Sequence, residues 1–286
     1  MVRVVGIGFK EVGKIYWFNP DPFKLNINDH VIVETIRGLE LGKVVEPIKE
    51  IDESSLEHEL KKVIRLATKK DIEINLVNEK KAEEAIPLIK AIISSRELDM
   101  KIVGSEYTLD ASKLIIYYNA EGRVDFRELV KDLAAEFKIR IELRQIGQRE
   151  GAKMIGAIGT CGREVCCKKH LREFDLVTMK MAKDQGMALS SGKITGVCGK
   201  LMCCISYEND YYVEVRKRMP NVGDIVETPS CSDCKVISVD YIREMVKTTS
   251  KDEVFENWNN SDVKRVKKNK NVEVEVNGSS SWVVGL

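Results

Sequence analysis

The stretch GRVDFRELVKDLAAEFKIRIELRQIG, residues 122–147, changes its period halfway along. In the first half Phe126, Leu129, Val130, Leu133 and Phe137 recur at helical spacing and make one apolar face. Asp125 and Glu128 form a capping-box pattern at its start. From Lys138 on, Ile139, Ile141 and Leu143 alternate strictly with Lys138, Arg140, Glu142 and Arg144, the period of a strand with one buried face. A helix feeding a strand within one short stretch sets the class of the chain as α+β.

Upstream, MKIVGSEYTLD (100–110) and KLIIYYNAEGR (113–123) read as two strands, with Asp110 to Lys113 supplying the turn. Before them, KKAEEAIPLIKAIISS (80–95) is helical. Ala85, Leu88 and Ile92 are its expected stripe, flanked by Ile86, Ile89 and Ile93, and Pro87 predicts a kink or a break. The order helix, strand, strand, helix, strand predicts an α+β sandwich over 59–147, its helices on a mostly antiparallel sheet. Residues 1–58 read as short strands: VRVVGIGF, KIYWF after a turn at Gly13, then HVIVET paired with LELGKVVE across a turn at Gly38. Four short antiparallel strands predict a small, barrel-like element.

Downstream the composition shifts. Residues 148–212 are rich in Gly, Cys and Met and weak in either period, so something other than an apolar core is expected to order them. In 213–286, NVGDIVETP echoes NINDHVIVET, and KVISVDYIREMVKTT predicts two strands around a turn near Asp240. The tail opens with a basic cluster from Lys264 to Lys270 and then alternates Val272, Val274 and Val276 with polar residues.

Composition narrows the function. Of 286 residues, 43% are hydrophobic and 32% charged, and the formal charge is +1, so a polyanion would have to meet a local patch. The start lacks the pattern of a signal peptide, and no apolar run reaches the ~18 residues of a membrane span. A cytoplasmic protein without membrane insertion is expected. There, clustered cysteines more often bind metal or do redox work than form stable disulfides.

Six of the eight cysteines stand in one phrase written twice, CGREVCC (161–167) and CGKLMCC (198–204). Thiolates in this number suit zinc or an iron–sulfur cluster. Structural zinc prefers tighter knuckles, so the longer first interval favours iron and sulfur without excluding zinc. In extended chain, Cys166 and Cys167 point to opposite faces, as do Cys203 and Cys204. One thiol of each pair would then serve a second site. Cys161, Cys166, Cys198 and Cys203 could share one centre, or the six could be divided among clusters shared with partner chains. His170 is either a further ligand or a surface imidazole. Cys231 and Cys234 form a lone pair of the C-x-x-C type on an expected hairpin turn, where coincidence, a dithiol and half a zinc knuckle are all open. Arg149, Lys153, Arg163, Lys168, Lys169 and Arg172 surround the first copy, as a solvated face, as cations offsetting thiolate charge, or as an RNA contact. Nothing pairs an acid, a base and a nucleophile, so no enzyme is expected. A zinc module on a nucleic-acid-binding protein and a thiol redox protein using the vicinal cysteines are the rival readings.

Taken together, the 122–147 stretch, IGTCGREVCC, MAKDQGMALS, KITGVCGKLMCC and YENDYY resemble the bacterial YaaT family, also called RicT. The resemblance runs from GIGFKEVGKIYWF to about Tyr212, and residues 61–145 correspond to the family's defining domain. It implies a non-enzymatic regulatory subunit working with two small helical partners, RicA and RicF. That complex carries oxygen-sensitive 4Fe-4S clusters and assists the endoribonuclease RNase Y in messenger RNA maturation. Effects on sporulation, competence, biofilm formation and a phosphorelay go with it, and any RNA contact is indirect. The family's motif cysteines fall on Cys161, Cys166, Cys167, Cys198, Cys203 and Cys204. After VETP the family usually has a glycine-containing turn where this chain has SCSDC, so Cys231 and Cys234 take no support from it.

Overall fold

The computed structural model describes residues 1–52, 60–122 and 124–267. They fall into two compact units. One comprises Met1–Asp175 with Thr195–Cys203, the other Leu176–Ile194 with the described chain from Cys204 onward. No helix among the described residues is long and apolar enough to cross a membrane.

The first unit opens with β1 (Val2–Gly8), β2 (Tyr16–Phe18), β3 (His30–Thr35), β4 (Gly38–Ile51) and β5 (Val63–Leu66), in the sheet order β2-β1-β4-β3-β5. The β3–β4 hairpin closes with Thr35 opposite Gly38, whose φ of +118° suits only glycine. Val5, Ile7, Val31, Val33 and Val44 turn one face of the sheet into a core. The sheet curls because β1 is bulged against β4 and because Gly42 admits Ile7, whose Cγ2 would lie 2.4 Å from a Cβ there. It does not become a closed barrel. Among the described residues its edges meet only at the parallel bridge Asn19–Lys62, β2 being three residues long.

Next come α1 (Lys69–Ser95), β6 (Lys101–Tyr107), β7 (Lys113–Asn119), α2 (Arg127–Phe137) and β8 (Arg140–Gln145), in the expected order. The sheet β6-β7-β8 is mixed rather than mostly antiparallel: β7 pairs antiparallel with β6 and parallel with β8, α2 making the crossover. Central β7 is buried throughout Leu114 to Tyr118. Ile89 and Ile93 from α1 and Leu129 and Leu133 from α2 pack on it.

Three local expectations are corrected. α1 runs unbroken through Pro87, because Pro87 and Glu83, whose carbonyl loses its partner, lie on the exposed face while packing holds the other side. The buried stripe is Ala82, Ala85, Ile89 and Ile93, with Leu88 exposed and Ile92 half-buried. The capping box at Asp125 and Glu128 does not form. Asp125 accepts from the Arg127 N–H and guanidinium and Glu128 from Lys131, so the reciprocal pair is lost and Phe126 stands at the N-cap position without a side-chain cap. A capping box stands instead at Thr68 and Asp71, which opens α1. Hydrogen bonds from Arg65 and Thr68 hold the Asp71 carboxyl well below the usual carboxylate range.

A polar network ties the first sheet to the second. Tyr117 Oη donates to Glu106 Oε2 at 2.7 Å, Arg37 Nη1 donates to Tyr117 Oη at 3.2 Å, and Lys10 Nζ lies 2.7 Å from Glu106 Oε1. Burial alone would push the Glu106 carboxyl up. Lys10, Tyr117 and Arg37 outweigh it and hold the carboxyl down.

The second unit carries α5 (Met179–Asp184), α6 (Ser191–Ile194) and all but the first residue of α7 (Cys203–Arg218). It also holds the antiparallel sheet β12-β11-β10-β9-β13, formed by β9 (Ile225–Thr228), β10 (Cys231–Asp240), β11 (Met245–Thr249), β12 (Phe255–Asn259) and β13 (Lys264–Lys267). Val215 and Met219 pack on Val226, Val236 and Val246. The basic cluster begins in β13. Its remainder, Lys268 to Lys270, and the alternation at Val272, Val274 and Val276 lie outside the described residues.

Packing outweighs capping in this fold. Leu133→Ala is expected to destabilise the first unit by about 3 kcal/mol, and Thr68→Ala by about 1 kcal/mol, read as shifts of the urea midpoint. Because the Asp71 pKa is depressed on folding, its contribution is present above the ordinary carboxylate pKa and is lost as pH falls below it. The gap between wild type and Thr68→Ala should therefore narrow in acid.

Candidate functional site: a thiol loop built twice

The two cysteine phrases adopt the same loop. In the first, Gly159 N–H donates to the Arg163 carbonyl at 2.8 Å and Gly162 N–H to the Gly159 carbonyl at 2.9 Å. In the second, Gly196 N–H donates to the Lys200 carbonyl at 2.8 Å and Gly199 N–H to the Gly196 carbonyl at 2.9 Å. Isolated bridges close both necks, Ile158 with Glu164 and Thr195 with Leu201. Gly162 and Gly199 have φ of +77° and +76°, a left-handed turn that any side chain would strain. A Cβ on Gly162 would meet nothing within 4 Å, so backbone conformation rather than crowding calls for glycine there.

Each loop ends by starting a helix on its second cysteine: α4 (Cys166–Lys169) and α7. The vicinal pairs are therefore helical, not extended, and the opposite-face geometry expected for them does not apply. Adjacent helical residues still diverge, by roughly 100°. Cys167 is buried, Cys161 exposed, and Cys166, Cys198, Cys203 and Cys204 half-buried. Cys204 opens the second segment of the second unit. His170 is exposed just past α4, its N–H donating to the Cys166 carbonyl at 3.1 Å.

Within the first unit the copies meet, Thr160 Oγ1 lying 3.8 Å from Met202 Sδ. Their thiols share one electrostatic neighbourhood. Burial pushes the Cys167 thiol up, with Cys203 and Cys198 adding to the effect. Burial also pushes Cys203 up, Arg149 opposes it, and Cys198 and Cys166 add to it. Cys161 is lowered, chiefly by the Arg163 N–H. Among the described residues, no three His, Cys, Asp or Glu side chains stand close enough to hold one metal ion.

The basic residues divide by role. Arg149 and Lys153 lie one turn apart on α3 (Gln148–Ile155). The Arg149 guanidinium stacks on Phe174 at 4.7 Å, and its buried Nε has no hydrogen-bond partner. Lys153 is lowered by burial and feels Cys167. Lys168 pairs with Glu164 at 3.5 Å, and Arg172 donates to the carbonyls of Gly13 and Glu11. Arg163 and Lys169 are exposed. Only Arg149 and Lys153 thus combine shelter with a place in the thiols' field. Their one-turn spacing in sequence was the available sign of a shared face.

Cys231 and Cys234 correct another expectation. They lie on β10, not in a turn, and form a disulfide with Cα atoms 5.8 Å apart. Residues three apart in a regular strand face opposite sides. A bulge sets Cys231 opposite Thr228 and Cys234 opposite Val226, and so turns the two sulfurs together. Cys234 is part of the core of the second unit.

Comparison with known proteins follows the same regions. Residues 61–146 match the PSP1 C-terminal conserved region, and residues 176–219 match the third domain of PSP1-like proteins. The chain is 45% identical over 247 residues to the stage 0 sporulation protein YaaT of Bacillus subtilis (strain 168), covering 86% of this chain and 90% of that one. A Schizosaccharomyces pombe protein is 28% identical over 144 residues, 41% of this chain and 19% of its own. Protein PSP1 of Saccharomyces cerevisiae is 43% identical over 53 residues, 18% of this chain and 6% of its own. No solved structure matches.

In metal-free protein, alkylation by iodoacetamide mapped by mass spectrometry should separate the thiols. Cys161 is expected to react with a midpoint below the ordinary thiol pKa of about 8.5, and Cys167 and Cys203 above it. One common midpoint for all three would contradict this electrostatic ordering.

Proposed function

The chain belongs to the YaaT family, and from that premise we propose that it is a non-enzymatic, iron–sulfur-bearing adaptor of RNA processing. The observation that carries this reading is the thiol loop built twice, with its copies in contact. Cys161, Cys166, Cys167, Cys198, Cys203 and Cys204 are the residues that would hold 4Fe-4S clusters, some of them shared with partner chains. A bound cluster supplies thiolate–iron bonds that oxygen can destroy, and with them a link between oxygen and assembly. The chain's own part is to fix the thiols on rigid loops and to offset their charge with Arg149 and Lys153.

In this reading the partners are RicA-like and RicF-like small helical proteins, and the complex assists RNase Y in messenger RNA maturation in the cytoplasm. The name of the Bacillus subtilis relative supports a part in sporulation, and competence and biofilm development follow from the same family resemblance.

The test is anaerobic purification, alone and with both partners, followed by iron, sulfide and zinc analysis and an ultraviolet–visible spectrum. Matched iron and sulfide with absorbance that bleaches in air is the expected result. Cys166→Ser and Cys203→Ser should lower iron and partner binding while the first unit keeps its melting temperature. Stoichiometric zinc without iron, with and without partners, would overturn the reading.

A further inference from the structure

An open cleft of about 700 Å³ lies in the first unit beside the second thiol loop. It runs between the C-terminal end of α1, the start of β6 and α3, and it ends at Val197 and Cys198. Its floor is apolar, with Ile93, Met100, Ile102 and Val103. Two further apolar side chains stand at its rim in the open, Ile155 at 68% exposure and Val197 at 52%. Two cations line it as well, Lys90 and Lys101, both exposed, and no carboxylate lines it among the described residues.

A chain of net charge +1 has no general surplus of cations, so two lysines without an acid in one cleft are a local feature. Exposed isoleucine and valine over an apolar floor mark a surface meant to be covered. A nucleic-acid backbone is held by many cations and little apolar area, so two lysines over this floor fit it poorly. They fit a polypeptide whose apolar side chains enter the cleft while its carboxylates meet the rim.

We propose that this cleft is the docking site for an acidic, apolar segment of a partner protein, seated against the loop that carries Cys198. The inference rests on the adaptor reading above and names the chemistry by which a partner reaches the thiol site. Docking there would bring the partner's own ligands to Val197 and Cys198 and shelter the exposed edge of the loop.

The experiment uses the full-length chain with the RicA-like and RicF-like proteins, assembled without oxygen. Carbodiimide, which joins a lysine amine to a carboxylate with loss of water, should couple Lys90 or Lys101 to an Asp or Glu of one partner, mapped by mass spectrometry. The variants K90E/K101E and I155D change exposed side chains only. Each should raise the partner Kd about tenfold or more, with the melting temperature of the isolated chain unchanged. Partner binding within twofold of wild type in both variants would overturn the docking inference and leave the adaptor reading standing. The same holds if K90E/K101E weakens RNA binding while partner affinity is kept. If the wild-type chain binds neither partner, the adaptor reading falls and the docking inference falls with it.

Discussion

Two backbone hydrogen bonds, Gly159 N–H to the Arg163 carbonyl and Gly196 N–H to the Lys200 carbonyl, set the geometry on which the rest of this site depends. Each closes a turn whose left-handed corner would strain a side chain and leaves the next cysteine pair at the start of a helix. The loops are closed by their own amides.

The frame around the loops is stiff for a different reason. Glu106 is half-buried and keeps its charge because Lys10, Tyr117 and Arg37 all face it, from three separate stretches of chain. Removing one partner of such a group leaves a charge without full compensation, which is why networks of this kind hold elements in one register. Asn78 acts similarly with neutral chemistry. Its buried amide donates to the carbonyls of Thr108 and Leu109 and fixes α1 to the β6–β7 turn. α3, which carries Arg149 and Lys153, follows directly on this braced sheet.

Much of the architecture could be read from the sequence because it rests on period. The alternation at Ile139, Ile141 and Leu143 and the helical stripe ending at Phe137 both reflect a single buried face, and both elements form where they are expected. Features that depend on competition between neighbours could not be read so. Asp125 and Glu128 look like a reciprocal box until Arg127 and Lys131 draw them apart, and Pro87 looks like a break until packing on Ala85 and Ile89 holds the helix around it. The repeat of the cysteine phrase was plain, and its identical loops follow from the repeated glycines. The conformation of the vicinal pairs was not, since nothing local says that a helix begins at Cys166. The bulge that joins Cys231 to Cys234 was equally hidden, because bulges answer to the neighbouring strand.

The division of the chain has a consequence for its synthesis. The first unit ends at Asp175 and resumes at Thr195, with the intervening residues belonging to the second unit. A growing chain therefore completes the first thiol loop, then commits a segment to a domain most of which has not yet been made, and only afterwards supplies the second loop. Until Cys203 has left the ribosome, the first unit lacks half of its thiol pair. The same interleaving means that a truncation at Asp175 yields the sheets and a single loop, and that no contiguous fragment isolates both loops without carrying part of the other unit along.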